Sequence, residues 1–302
     1  MLTIGNFDGV HLGHQALIAA TAKLAAKLGC PSLVLTFKEH PQSLLGSQSF
    51  KYVLGAEDKE AFVEEAGADL YYSMDFNKVK DMSPREFVED VLVNTLGALH
   101  VVCGYNFSFG KGGSGTPETL KALLEARGIG CTVAEAVTSD RGSVSSTRLR
   151  ALISGGDMTA AAALLGRPYS FTLPVLHGRR LGSRLGSHTI NQMFPDDRAV
   201  PAYGVYAVLC GIDGKLYEGV TNIGVKPTVD DTNTPVCETH IFDFNGDLYG
   251  KEVRVYLCKH LRSEKRFESL DALRAQIAKD ADLAREVLAE YRYTDTKGVC
   301  SI

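Results

Sequence analysis

No apolar run in these 302 residues approaches the roughly 18 needed to span a bilayer, so nothing here reads as a transmembrane helix. No C-x-x-C pair occurs among the seven cysteines Cys30, Cys103, Cys131, Cys210, Cys237, Cys258 and Cys300. Their number is odd and their spacing irregular, which argues against a disulfide framework and for reduced, mostly packed thiols in a reducing compartment. Positive charge is not in excess either. The formal net charge of −4 offers no broad basic field to a nucleic-acid backbone. Met1–Asn6 has no basic flank and no signal-peptide body. The expected setting is therefore the cytoplasm, with no nucleic acid, no membrane and no obligatory protein partner.

What is there is an ordinary globular balance, 45% apolar and 23% charged. The length calls for about two domains. Residues 1–158 alternate short apolar runs with amphipathic stretches. Leu2–Gly5, Ser32–Phe37, Asp69–Ser73, Leu99–Gly104 and Cys131–Val137 are predicted strands. Gly13–Leu28, Asp58–Ala66, Thr116–Arg127 and Ser145–Ser154 are predicted helices. Ser83-Pro-Arg-Glu86 is a capping box with proline at the first helical position. This alternation predicts an α/β fold with a doubly wound, mainly parallel sheet. Ligands in such folds bind beyond the carboxyl ends of the strands.

Gly155-Gly156-Asp157 ends one helix and caps a shorter one running to Gly166, and the domain boundary is expected within 155–168. Residues 159–302 read as strand, turn, strand. Asp213-Gly214 and Asn245-Gly246 are hairpin signals, expected to join Val205–Gly211 to Lys215–Asn222 and Val236–Phe244 to Leu248–Leu257. A small antiparallel β-barrel is predicted. A helix over Ser269–Tyr291 follows, its apolar stripe formed by Leu270, Leu273, Ile277, Val287 and Leu288.

The segment Gly5-Asn-Phe-Asp-Gly-Val-His-Leu-Gly-His14 lies between the first strand and the first helix. Glycines 5, 9 and 13 let the backbone approach a phosphate closely. The helix N-terminus adds free N–H groups and a positive dipole end. His11 and His14, three residues apart, can address one anion and stabilise charge growing on an α-phosphate. A zinc pair is the competing reading, but no Cys/His cluster stands nearby to complete four ligands. Gly104 to Gly112 is not a Walker A loop. Gly110-Lys-Gly-Gly-Ser-Gly115 matches G-x-G-x-x-G literally, yet it does not follow a strand directly and is read as a mobile loop near the nucleotide.

Gly5–His14 resembles the H-x-G-H signature of the nucleotidylyltransferase superfamily, and its longer form resembles the adenylyltransferase half of prokaryotic bifunctional riboflavin kinase/FAD synthetases. Thr36-Phe-Lys-Glu-His-Pro41, Gly104-Tyr-Asn-Phe-Ser-Phe-Gly110 and Ser145-Ser-Thr-Arg-Leu-Arg150 resemble further segments of that family, with Glu39 in place of its proline. The resemblance implies that His11, His14, Ser146, Thr147 and Arg150 hold the triphosphate. It also implies that Gly5, Asn6, Phe7, Asp8, Gly9 and Asn106 line the site. Read alone, Ser145-Ser-Thr is more readily a plain helix cap, and it gains weight only through the other segments.

From Leu164 onward the chain resembles riboflavin kinase modules. The carrying segments are Leu185–Asn191, Asn222–Thr228, Glu238–Phe244, Asp247–Lys251 and Leu261–Phe267, with Ser187-His188 in place of the family's Phe-Pro. The resemblance implies that Gly178, Gly182 and Gly186 form a glycine-rich entry strand. Thr189 and Asn191 would help hold Mg²⁺ and the nucleotide phosphates, Glu238 would act as general base, and Arg262 would contact flavin or phosphate. Riboflavin would be phosphorylated to FMN, and FMN adenylylated to FAD, with ATP as co-substrate of both steps. The alternatives are an enzyme with FMN adenylylation alone, and a flavin- or nucleotide-binding regulator without catalysis.

Overall fold

The computed structural model describes residues 1–44, 50–139, 142–177, 189–225 and 234–294. The chain divides into two compact units, Met1–Phe50 with Ala56–Ser146, and Lys51–Gly55 with Thr147–Ile302.

The first unit is built on five parallel strands: β1 (Leu2–Ile4), β2 (Leu33–Phe37), β3 (Leu70–Met74), β4 (His100–Gly104) and β5 (Gly130–Ala134). Their order is β3-β2-β1-β4-β5. β1 is buried throughout because it is central, with Leu2 opposite Leu33 on one side and Val101 on the other. Leu35, Phe87, Leu92, Val101, Leu120 and Leu124 pack around it as the core. The connection reverses direction at β1, so the loops after β1 and β4 flank the switch point where doubly wound sheets bind ligands. The doubly wound expectation is thus met. β5 ends at Ala134, short of the predicted Val137, and a two-stranded ribbon of β6 (Thr138–Ser139) and β7 (Gly142–Ser143) follows.

Helix Leu12–Leu28 ends at Gly29, whose φ of 63° suits the left-handed cap. The Ser83 capping box is present: the Ser83 N–H donates to Glu86 Oε2 at 2.7 Å, and the Glu86 N–H donates to Ser83 Oγ at 3.3 Å. From Phe87 to Thr95 the helix widens to i→i+5 bonding, which nothing in the sequence indicated.

The second unit is a curled antiparallel sheet of β8 (Tyr169–Pro174), β9 (Thr189–Met193), β10 (Gly204–Ile212), β11 (Lys215–Val225), β12 (Pro235–Ile241) and β13 (Glu252–Ser263). The order is β8-β13-β10-β11-β12-β9. Its two edges meet where the Leu176 N–H donates to the Asn191 carbonyl at 2.8 Å. Gln192 Nε2 adds bonds to the carbonyls of Leu173 and Val253, at 2.6 and 2.8 Å. The barrel-like expectation is therefore met. Asp213 and Gly214, with φ of 48° and 75°, make the predicted tight turn between β10 and β11.

The second predicted hairpin does not form. β12 pairs with β11 and β9, and β13 with β10 and β8, so the two strands never pair with each other. Neither Asn245 nor Gly246 takes the positive φ that a two-residue type I′ turn requires. The Phe244 ring sits edge-on to Tyr217 at 5.2 Å, and a Cβ on Gly246 would meet that ring at 2.8 Å, so this glycine makes room for an aromatic.

Helices Ser146–Gly155 and Met158–Leu165 precede the barrel, the second capped by Asp157 and Gly166 as predicted. Helix Leu270–Thr294 covers one sheet face, with Ala284 and Leu288 against Val205, Ala207, Leu209 and Val220. Leu270 is not part of the stripe; it is 70% exposed at the first turn, before the helix meets the sheet.

Candidate active sites

The loop from Gly5 to His14 leaves the carboxyl end of β1 and enters helix 12–28. Its backbone is unusual, because Phe7 and Val10 have φ of 50° and 41° and are fully buried. Non-glycine residues adopt this region only when the surroundings impose it. The surroundings here are specific. Thr36 Oγ1 donates to the Asn6 carbonyl at 3.1 Å, Gln15 Nε2 to the Val10 carbonyl at 2.8 Å, and Ser146 Oγ to the Asp8 carbonyl at 2.8 Å.

His11 caps the helix, its Nδ1 accepting the His14 N–H at 3.3 Å. That bond makes Nδ1 the acceptor and leaves the ring's proton to Nε2. The His11 and His14 rings are stacked, with centroids 3.6 Å apart and planes 13° from parallel. Phe7 supports His14 at 5.1 Å. Among the described residues no group of three or more His, Cys, Asp or Glu could hold a metal.

Asp8 is 3% exposed and Lys59, on helix Ala56–Glu65, is 9% exposed. Burial pushes the Lys59 ammonium below its ordinary pKa, and the Asp8 carboxylate pulls it back up. Across the switch point, Asn106 is exposed and places Oδ1 against Gly104, 3.4 Å from where a Cβ would lie. Thr147 and Arg150 belong to the second unit, where Arg150 Nε donates to the Lys51 carbonyl at 2.7 Å.

The glycine-rich run 110–115 is a packed turn, not a loose loop. The Lys111 N–H donates to the Met82 carbonyl at 2.6 Å, and Phe109 bridges to Gly115. Cβ atoms at Gly110 and Gly115 would collide with Pro84 and the Phe109 ring, at 2.9 and 2.6 Å. Close packing explains the glycines at 110 and 115.

In the second unit the register gathers the other predicted residues. Glu238 stands opposite Asn191 of β9 and Asn222 of β11, and Thr189 stands opposite His240. Directly paired residues share a face, so Thr189, Asn191, Asn222, Glu238 and His240 form one polar patch. The alternate residues Thr221, Cys237 and Thr239 are buried on the other face, where Thr239 Oγ1 donates to Thr221 Oγ1 at 2.9 Å. Arg262 is paired opposite Val205, but its guanidinium is turned to Asp280 through bonds of 2.7, 2.9 and 3.1 Å. Gly178, Gly182, Gly186 and the Ser187-His188 departure lie outside the described residues, as do Lys226-Pro227-Thr228.

Two family models match: FAD synthetase over residues 1–148 and riboflavin kinase over residues 165–288. A bifunctional riboflavin kinase/FMN adenylyltransferase of Bacillus subtilis (strain 168) is 35% identical over 297 residues, which is 97% of this chain and 93% of the relative. The protein of that name from Pseudomonas fluorescens is 38% identical over 288 residues, covering 95% and 92%. The chain belongs to the bifunctional riboflavin kinase/FMN adenylyltransferase family.

A crystal structure described as a macrolide-efflux protein from Streptococcus pneumoniae superposes with a TM-score of 0.84 at 31% identity, covering 94% of this chain and 93% of that one. Among the described residues no helix of the present family member is long and apolar enough to cross a membrane. As a riboflavin kinase/FMN adenylyltransferase, the chain carries the His11–His14 pair on one separately cored unit and Thr189, Asn191 and Glu238 on the other, with Thr147 and Arg150 also in the second. Sequence reasoning missed Lys59, Thr36 and Gln15. A lysine on a helix, a threonine in a strand and a helical glutamine have no signature of their own, although Thr36 lies inside a segment that carried the resemblance.

Proposed function

We propose that residues 159–302 phosphorylate riboflavin to FMN and that residues 1–158 adenylylate FMN to FAD, each step consuming one ATP. The observation that carries the reading is the stacked His11–His14 pair at the start of helix 12–28, on the switch point of the parallel sheet.

In adenylyl transfer a phosphate oxygen of FMN attacks the α-phosphorus of ATP, and the bond to the β-phosphate breaks to release pyrophosphate. His11 Nε2, His14 and the backbone N–H groups of the loop Gly5, Asn6, Phe7, Asp8 and Gly9 are proposed to take the charge that builds on the α-phosphate. Ser146, Thr147 and Arg150 are proposed to hold the triphosphate, and Asn106 to line the site. No covalent intermediate is needed, because the second substrate supplies the nucleophile.

In the kinase step Glu238 accepts the proton of the terminal ribityl hydroxyl while that oxygen takes the γ-phosphoryl group. Thr189 and Asn191 offer neutral oxygens on the same sheet face as the Glu238 carboxylate, a donor set that fits Mg²⁺. The ion would neutralise phosphate charge. Gly178, Gly182 and Gly186 are proposed to border the nucleotide. Arg262 is proposed to meet flavin or phosphate through the N–H groups not bonded to Asp280. The odd, irregularly spaced cysteines and the net charge of −4 support a cytoplasmic enzyme of small molecules, without nucleic acid, membrane or obligatory protein partner.

The test is to incubate the chain with riboflavin, ATP and Mg²⁺ and to chromatograph the flavins. FMN followed by FAD is expected, and Glu238→Ala should abolish FMN formation while FAD still forms from supplied FMN. FAD only from supplied FMN would mean an idle kinase half, and unchanged bound flavin would mean a binding protein. Loss of both activities in Glu238→Ala would refute separate sites.

A further inference from the structure

We infer that Thr36 is a positioning residue of the adenylyl-transfer site: its hydroxyl fixes the Asn6–Phe7 peptide so that the Phe7 N–H is presented to the charge developing on the α-phosphate. The inference rests on the adenylyl-transfer reading given above.

Thr36 lies one residue before the end of β2 and is wholly buried. Its Oγ1 donates to the Asn6 carbonyl at 3.1 Å, the one partner this side chain has among the described residues. Up to that point β1 and β2 follow an ordinary parallel ladder. Ile4 stands opposite Leu35, and the Gly5 N–H donates to the Leu35 carbonyl at 3.2 Å. At the next peptide a side chain takes over from the backbone. A trans peptide is planar and carries its C=O and N–H on opposite edges. With the Asn6 carbonyl held by Thr36, the N–H of Phe7 is turned away from that hydroxyl.

This N–H finds no acceptor among the described residues, although Phe7 is wholly buried. Buried backbone N–H groups are almost always paired. In a loop that begins a helix and carries the His11–His14 stack, an unpaired one is a donor aimed at a ligand oxygen.

The orientation is imposed and not intrinsic. The φ of Phe7 is 50°, a region that a bulky residue enters only when its surroundings require it. Half a turn of the Asn6–Phe7 peptide would bring that φ to about −130°, in the ordinary extended region. Both Cα atoms would stay nearly in place, and so would the Phe7 ring against His14. The N–H would swing round toward β2 and be lost to the site. The Thr36 hydroxyl is what opposes that turn.

A purely structural tie between β2 and the loop makes a different prediction: its loss would lower stability and leave turnover intact. The full-length protein carries the test, with Thr36→Val and Thr36→Ser compared with wild type for FAD formation from supplied FMN. Valine keeps the shape without the hydroxyl, and serine keeps the hydroxyl. FMN formation from riboflavin and the urea midpoint in the same preparations check the fold. Thr36→Val should lower kcat about tenfold or more with KM for ATP and FMN within about threefold, since the donor acts mainly on the transition state. Thr36→Ser should keep kcat within about threefold of wild type. Should Thr36→Val fail to fold, Thr36→Cys, of similar size and with only a weak donor, carries the same comparison. A kcat within about twofold of wild type in the variant without the hydroxyl, a loss confined to KM, or a loss that Thr36→Ser shares in full overturns the inference alone. Wild-type protein that makes no FAD from FMN overturns the inference and the reading beneath it together.

Discussion

At Gly13 there is room for a hydrogen and little more. A Cβ there would lie 3.2 Å from Cε1 and Nδ1 of His11, and that ring cannot swing away freely, because it is 6% exposed and caps the helix through Nδ1. Gly13→Ala should therefore tilt His11 out of its stack on His14. FAD formation should fall by about tenfold or more, since small misplacements of reacting groups carry large kinetic penalties. FMN formation in the other unit should stay at the wild-type level, and steady-state rates of the two reactions in one preparation check this. The histidines and glycines of this loop were legible in the sequence as a candidate site, because their residue types and spacing fall at a strand-to-helix turn. Lys59 was not. Whether a helical lysine faces water or turns in to a strand carbonyl, as Lys59 does to Phe37, is decided by how its helix packs on β2, which no local pattern encodes. The positive φ of Phe7 and Val10 was hidden for a similar reason: contacts from Thr36 and Ser146, far away in sequence, hold the loop together with the nearby Gln15.

Among the elements, β9 is the strand on which barrel closure depends, and Gln192 is the residue that fastens it. The side chain is wholly buried and its Nε2 bonds two carbonyls, those of Leu173 on β8 and Val253 on β13. The two strands are themselves paired at Leu173 and Val253, so one amide pins the far edge of the sheet to both. Gln192→Leu keeps the bulk but removes both bonds, and should destabilise the second unit by about 2 kcal/mol. A lowered urea midpoint for the kinase unit, with the slope unchanged, is the expected readout. Because Thr189 and Asn191 lie on the opposite face of the same strand, KM for ATP in FMN formation should also rise. Here the sequence was informative about strands and uninformative about their order. Asp213-Gly214 worked as a turn signal because both residues take positive φ. Asn245-Gly246 looked the same and failed: neither residue takes positive φ, Gly246 lies against the Phe244 ring, and the chain goes on to the far side of β10. A dipeptide signals a permissible bend; which strand lies beyond it is a property of the whole sheet.

At the scale of the molecule, each unit has its own core, one gathered around β1 and the other between the barrel and helix 270–294. The family models divide along the chain in the same sense, with FAD synthetase matching the first half and riboflavin kinase the second. The proposed chemistry divides likewise: the histidine pair is in one unit and Glu238 in the other, so loss of one set need not touch the other. FMN, the product of the second unit, is the substrate of the first. If each site is complete in itself, the intermediate can be exchanged through solvent between different molecules. His14→Ala should turn riboflavin into FMN and stop there, and Glu238→Ala should make FAD only when FMN is supplied. Mixing the two variants with riboflavin, ATP and Mg²⁺ should then restore FAD. FMN should rise first and fall later, and the FAD rate should depend on the concentration of Glu238→Ala protein once FMN has accumulated. A chromatographic time course reads all three species. Continued absence of FAD in the mixture, with both single variants behaving as expected alone, would mean that FMN must be passed within one chain, and the picture of two self-sufficient sites would have to be given up.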